Sequence, residues 1–231
     1  MNIVYVDENI IVINKPPGVS AHGGDSVLGP TVVDFLLPQF PEIRTVGDDP
    51  HLRPGIVHRL DKDTSGLMLI ARNQSTFEAL KELFKTRKIE KKYWAIVCGS
   101  LRQTDGIISA PIGRLASNPL KRGIEQGKSR IRGAREAVTE YHVLKQGSIY
   151  SLVELTPKTG RMHQLRVHMK SINHPVACDL AYGGKNVCCP EGSGRQLLHA
   201  RSLSFSFPEG RRLSFEAEVP EDFSLAQRLI S

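Results

Sequence analysis

Short apolar runs separated by turn residues set the pattern of this chain, with a few longer stretches of helical spacing between them. Residues 3–6 and 10–13 are β-rich runs on either side of Asp7, Glu8 and Asn9, which predicts a hairpin. Lys15-Pro16-Pro17-Gly18 then ends the sheet. Residues 31–37 predict a short helix capped by Thr31. Residues 38–55 hold Pro38, Pro41, Gly47, Pro50, Pro54 and Gly55 and predict loop. The extended run Met68-Leu69-Ile70-Ala71 follows. Within 74–88, Phe77, Leu80, Leu83 and Phe84 recur at helical spacing. Strands are predicted over 93–97, 138–144, 150–155, 203–207 and 213–217, and helices over 161–172 and 223–229. There is no internal repeat and no clear linker. Strands on short turns with helices interspersed predict an α+β fold built on a mixed, largely antiparallel central sheet.

Charge changes this picture. Lys and Arg outnumber Asp and Glu by 31 to 24, a net +7, which favours an anionic partner such as nucleic acid. Residues 113–135 concentrate that charge in Arg114, Lys121, Arg122, Lys128, Arg130, Arg132 and Arg135. With Gly113, Gly123 and Gly133 and little apolar pattern, the stretch reads as a loop, either one that closes on RNA or an ordinary solvated one. No apolar run is long enough to span a membrane as a helix, and the N-terminus lacks a secretory leader. The four cysteines, Cys98, Cys178, Cys188 and Cys189, include an adjacent pair that cannot easily bridge to itself. Free thiols in a reducing cytosol are the simpler expectation. A zinc site from Cys178, Cys188, Cys189 and His199 lacks paired Cys-x-x-Cys spacing and is not favoured.

The most informative segment is His58-Arg59-Leu60-Asp61-Lys62-Asp63-Thr64-Ser65-Gly66-Leu67. If it is extended, Arg59 and Asp61 share a face. A reactive carboxylate would then lie beside a cation with a five-donor fork. Asp63 is placed to cap a turn at Thr64-Ser65-Gly66. A plain salt bridge beside a turn would use the same residues, so the rest of the chain has to decide.

The segment resembles the catalytic motif of the RluA-type RNA pseudouridine synthases, and four further segments match in the family's order. They are Asn14-Lys15-Pro16-Pro17-Gly18, Lys91-Lys92-Tyr93-Trp94-Ala95, Thr159-Gly160-Arg161-Met162-His163-Gln164-Leu165-Arg166, and His174-Pro175-Val176-Ala177-Cys178-Asp179 with its continuation to Leu197-Leu198-His199-Ala200. The chain departs at Met162, where the family usually has a small hydroxyl residue, and at Cys178, where it has glycine. The resemblance implies a single catalytic domain over 1–231 with a central RNA-binding cleft. The separate N-terminal RNA-binding domain of many relatives is not expected.

The resemblance also implies the site. Asp61 is the catalytic acid, Arg166 the cation set against it, and Tyr93 the ring that stacks on the target uracil. Leu198, or else Leu197, lines the uracil pocket. Arg59 takes the vacated place in the stack or holds the flanking phosphate. The three histidines at 163, 168 and 174 lack His-x-x-x-His spacing and read as RNA contacts or surface packing. The implied activity is isomerisation of uridine in structured RNA, most simply large-subunit ribosomal RNA. Transfer RNA is the alternative, with a non-catalytic RNA-binding or ribosome-assembly factor and a nucleic-acid glycosylase as other classes. No cofactor or metal is expected, because the bond broken and the bond formed exchange within one molecule. A cytoplasmic monomer away from the membrane completes the expectation.

Overall fold

Residues 10–13 are buried at every position, as a strand covered on both faces requires. In the computed structural model, which describes residues 1–24, 29–125, 130–207 and 210–231, they belong to β2 (Ile10–Lys15). This strand pairs antiparallel with β1 (Asn2–Val6), giving the predicted hairpin. Pro16 cannot donate to a ladder, and β2 stops before it. Helix α1 (Val32–Leu36) follows Thr31, whose hydroxyl accepts the Asp34 N–H while the Asp34 carboxylate accepts the Thr31 N–H. The stretch read as loop contains a short 3-10 helix, Pro41–Thr45. Next come β3 (Ser65–Ala71) and α2 (Gln74–Lys85), the latter capped by the Asn73 side chain on the Thr76 N–H.

The chain continues through β4 (Glu90–Cys98), β5 (Asp105–Ser109), β6 (Ile112–Leu115), β7 (Asn118–Gly123), β8 (Ile131–Arg135), β9 (Val138–Gln146) and β10 (Tyr150–Pro157). It ends with α3 (Gln164–Ser171), β11 (Leu198–Ser206), β12 (Arg212–Glu216) and α4 (Glu221–Arg228). The basic stretch read as a loop is therefore a three-stranded sheet in the order β7-β6-β8. Residues 126–129 of that stretch, Lys128 among them, lie outside the described residues. Its glycines hide the strand pattern. Gly133 takes φ +61, and a Cβ on Gly113 would press on the Arg132 carbonyl at 2.7 Å. The architecture is the expected α+β, with largely antiparallel pairing.

Two compact units divide the chain: residues 1–91 with 200–220, and residues 92–199 with 221–231. The division falls within β4 and β11. In the first unit the strand order is β1-β2-β3-β11, with β12 paired to β11. All seven residues of β3 are buried. One core joins Ile10, Val12, Leu67, Leu69, Phe77, Leu80, Phe205 and Phe215. Each such side chain contributes about 1.5–3 kcal/mol when fully withdrawn from water. Gly66 has φ +113, and a Cβ there would collide with the backbone of Ala200, so glycine lets β3 and β11 approach.

In the second unit the order is β4-β10-β9-β5, beside the small basic sheet. Its core joins Ala95, Val97, Val153, Leu155, Leu165, Met169 and Leu198. The cysteines correct the expectation of free thiols: Cys98 is bonded to Cys188, and Cys178 to Cys189. The adjacent cysteines do not pair with each other. Each faces a different partner, at Cα–Cα distances of 5.7 and 4.5 Å, both within bridging range.

Candidate active site

In the first unit, 58–64 is a loop whose burial alternates. Leu60 is buried, while Arg59 is exposed and Asp61 half-buried. The core takes Leu60 and presents the two charged neighbours on either side of it. The Thr64 N–H donates to the Asp61 carbonyl at 3.0 Å, so the turn spans 61–64. Thr64-Ser65-Gly66, read from sequence as the turn, instead leads into β3, because Ser65 and Gly66 are needed in the ladder.

A buried lysine and a half-buried histidine brace this loop. Lys15 is fully buried, and its Nζ donates to the carbonyls of Pro16, Val19 and Lys62, each at 2.9 Å. An ammonium has three donors, and these carbonyls take them all. The residue after Asp61 is thus tied to the end of β2. His58 packs its ring on Phe84 at a centroid distance of 4.8 Å, and its Nε2 accepts the Leu69 N–H at 2.9 Å. Burial, aided by the charge of Lys91, pushes its pKa down to about 3. The ring is neutral and acts as a backbone acceptor. At the surface, Arg59 Nη1 lies 3.3 Å from His22 Nε2. His22 Nδ1 faces the Gly23 carbonyl at 2.7 Å, which assigns the ring proton to Nδ1 and leaves Nε2 to accept from Arg59.

In the second unit, Tyr93 lies on β4 opposite Leu155 of β10. It packs, partly buried, against the cluster that holds Leu165 and Leu198. Leu197 is buried too, and its carbonyl accepts from Ile96 while its N–H donates to Ala177. Leu198 belongs to the cluster that Tyr93 packs against.

Arg166 projects from α3. Its Nε and Nη2 donate to the two oxygens of Asp179 at 2.7 and 2.8 Å, a bidentate pair buried on both sides. The guanidinium also lies 5.0 Å from the ring centroid of Tyr182. The Tyr182 hydroxyl accepts the Arg122 N–H at 3.1 Å and meets His163 Nδ1 at 2.6 Å. The remaining polar residues of this motif fix the helix. Gln164 accepts from Thr159 and the Arg161 N–H, and donates to Val138 and Thr139. His168 is fully buried between the Thr139 hydroxyl and the Ala110 carbonyl, and burial lowers its pKa. His174 Nδ1 donates to the Cys98 carbonyl. Each of the three histidines hydrogen-bonds within the fold, and His168 is buried rather than on the surface. Met162, at the departure from the family pattern, is exposed.

The sequence reading gave no task to Asp179, Lys15 or His58. A signal for Asp179 existed, since an arginine on the buried face of a helix needs a carboxylate. The basic sheet adds one more feature. Arg122, Arg114 and Arg132 stand abreast across β7, β6 and β8. Like charges directly opposite one another disfavour a sheet unless an anion offsets them. Among the described residues no group of three or more His, Cys, Asp or Glu is arranged to hold a metal. The first unit supplies a braced carboxylate and an exposed arginine, and the second an aromatic face, a fixed guanidinium and a row of cations. Groups of these kinds suit chemistry on a base within a polyanion.

A family model described as RNA pseudouridylate synthase matches residues 9–171. An uncharacterized RNA pseudouridine synthase of Bacillus subtilis is 39% identical over 225 residues, covering 97% of this chain and 71% of that protein. A ribosomal large subunit pseudouridine synthase D of Borreliella burgdorferi is 41% identical over 224 residues, covering 96% and 66%. Among solved structures, human RNA pseudouridylate synthase domain containing 4 aligns with a TM-score of 0.77 at 29% identity, covering 98% of this chain and 91% of that one.

Proposed function

Because the chain belongs to the RNA pseudouridylate synthase family, we propose that it isomerises uridine in large-subunit ribosomal RNA with Asp61 as the reacting carboxylate. The reaction detaches uracil from its ribose, turns the base, and rejoins it through carbon 5. A base inside a helix hides both of those atoms, so the uridine has to leave its stack first. In the proposed mechanism Arg59 fills the space left behind or holds the flanking phosphate. Tyr93 stacks on the flipped ring, a contact of about 1–3 kcal/mol, and Leu198 packs beside it. Asp61 then adds to the substrate or removes a ribose proton, and on the family pattern Arg166 is the cation assigned to it.

The observation that carries Asp61 is its setting. Buried Lys15 and half-buried His58 hold the loop that presents it. A protein that only binds a polyanion gains nothing from a braced carboxylate beside its exposed arginine. Ribosomal RNA is favoured by relatives named as large-subunit ribosomal enzymes in Borreliella burgdorferi and Neisseria meningitidis. We infer a monomer working in the cytoplasm, where the proposed ribosomal RNA substrate is found.

Asp61→Asn is nearly isosteric and should abolish turnover while RNA binding stays within about twofold. Product analysis on ribosomal RNA transcribed in vitro reads the outcome. Pseudouridine from the variant would remove Asp61 from its role. Free uracil from the parent protein would mean cleavage rather than isomerisation. Mapping pseudouridine in cells with and without the gene separates ribosomal from transfer RNA.

A further inference from the structure

We propose that Asp179 is the positioning residue for Arg166, and that the disulfides Cys98–Cys188 and Cys178–Cys189 make its grip depend on thiol–disulfide state. The inference rests on the role given to Arg166 above. Arg166 is fixed on one edge by the Asp179 carboxylate and on one face by the Tyr182 ring. Both partners come from one short segment. Asp179 also accepts the Ala181 and Tyr182 N–H groups, so its carboxylate turns only if that turn moves.

The fastening of the segment is covalent. Cys178 immediately precedes Asp179 and is bonded to Cys189, while its N–H donates to the Cys188 carbonyl at 2.8 Å. Cys188 in turn is bonded to Cys98 at the end of β4. Cys178 takes φ +60, a left-handed conformation unfavourable for a residue with a Cβ. Such a conformation persists where its surroundings over-determine it. A dithiol such as dithiothreitol reduces each bridge by exchange. Each disulfide gains two electrons and two protons and becomes two thiols, and the reductant closes to its cyclic disulfide. Without the bridge, Cys178 can relax toward ordinary φ, and the carboxylate next to it turns with the backbone.

The test uses the purified full chain and in vitro transcribed ribosomal RNA, with thiol counting before and after treatment. Reduction should lower kcat about tenfold or more and leave KM within about twofold, because misplacing a site group by about 1 Å can cost about 100-fold. Reoxidation with oxidised glutathione should restore kcat. Asp179→Asn should be low in both redox states. Asp179→Glu keeps the charge and displaces the fork, which guards against a variant that fails to fold, and it should lower kcat at unchanged KM. Equal kcat in the oxidised and reduced protein would overturn the proposal, as would a normal kcat in Asp179→Glu. Loss of the far-ultraviolet circular dichroism of the folded chain on reduction would also overturn it, since the bridges would then hold the whole unit rather than the site. Turnover by Asp61→Asn would sink the underlying reading of the site. An inactive Asp61→Asn beside a redox-insensitive parent would sink only this inference.

Discussion

His58 accepts a backbone N–H with a ring nitrogen that has to stay unprotonated. Its ordinary pKa is 6.5, and in the folded chain it lies at about 3. Between those values the unfolded chain binds the extra proton. The contribution to stability is therefore complete above pH 6.5 and is lost as pH falls toward 3, by up to about 1.4 kcal/mol per pH unit. His168, also lowered by burial, adds to the same trend. In His58→Gln an amide oxygen can take the Leu69 N–H without titrating. Urea unfolding at pH 7.5 and pH 5.0 should show this variant losing less stability than the parent, by about 1–2 kcal/mol. An equal loss in both would mean that His58 is not what couples folding to protons. Residue-scale reading of the sequence reaches furthest where the chemistry is local. Arg59 and Asp61 stand in one short motif, so the sequence alone proposes both. Asp179 escapes because its meaning depends on Arg166, thirteen positions away, and only folding brings the two together.

At the scale of elements, hydrophobic spacing locates α2 and the β1–β2 hairpin because α2 buries one face through Phe77, Leu80 and Leu83, and β2 buries Ile10 to Ile13 beside its largely exposed partner β1. It misses the β7-β6-β8 sheet, whose exposed arginines and glycines offer no apolar face to read. It also starts β11 five residues late, since Leu198, His199 and Ala200 look like a motif rather than a strand. The small sheet carries its own prediction. With Arg114 flanked by Arg122 and Arg132, an RNA backbone would relieve the repulsion while it binds. Replacing Arg114 and Arg132 with Gln should weaken RNA binding and lower the slope of log affinity against log salt by about 1–2. Thermal stability should hold or rise slightly, because two like-charge contacts are gone. An unchanged salt slope would make these arginines solubility charges only.

For the whole molecule, the sequence shows no linker because there is none of the usual kind. The division between units falls inside β4, at Lys91-Lys92, and inside β11, so no glycine- or proline-rich stretch marks it. The first unit needs both of its pieces. Strand β3 is buried along its whole length, and Phe205, Phe207 and Phe215 from the later piece complete its core. A fragment of residues 1–91 should therefore show no cooperative melt, whereas 1–91 joined by a short linker to 200–220 should melt cooperatively. A cooperative transition in 1–91 alone would mean that β11 and β12 are dispensable to that core. The same interleaving bears on how the chain is made. A ribosome adds about 5–20 residues per second, so the partner strand of β3 emerges on the order of 10 s after β3 itself. For that interval the nascent protein carries an apolar strand with an open edge, and the order of the genetic message, rather than any feature of the finished molecule, sets how long a chaperone has to cover it.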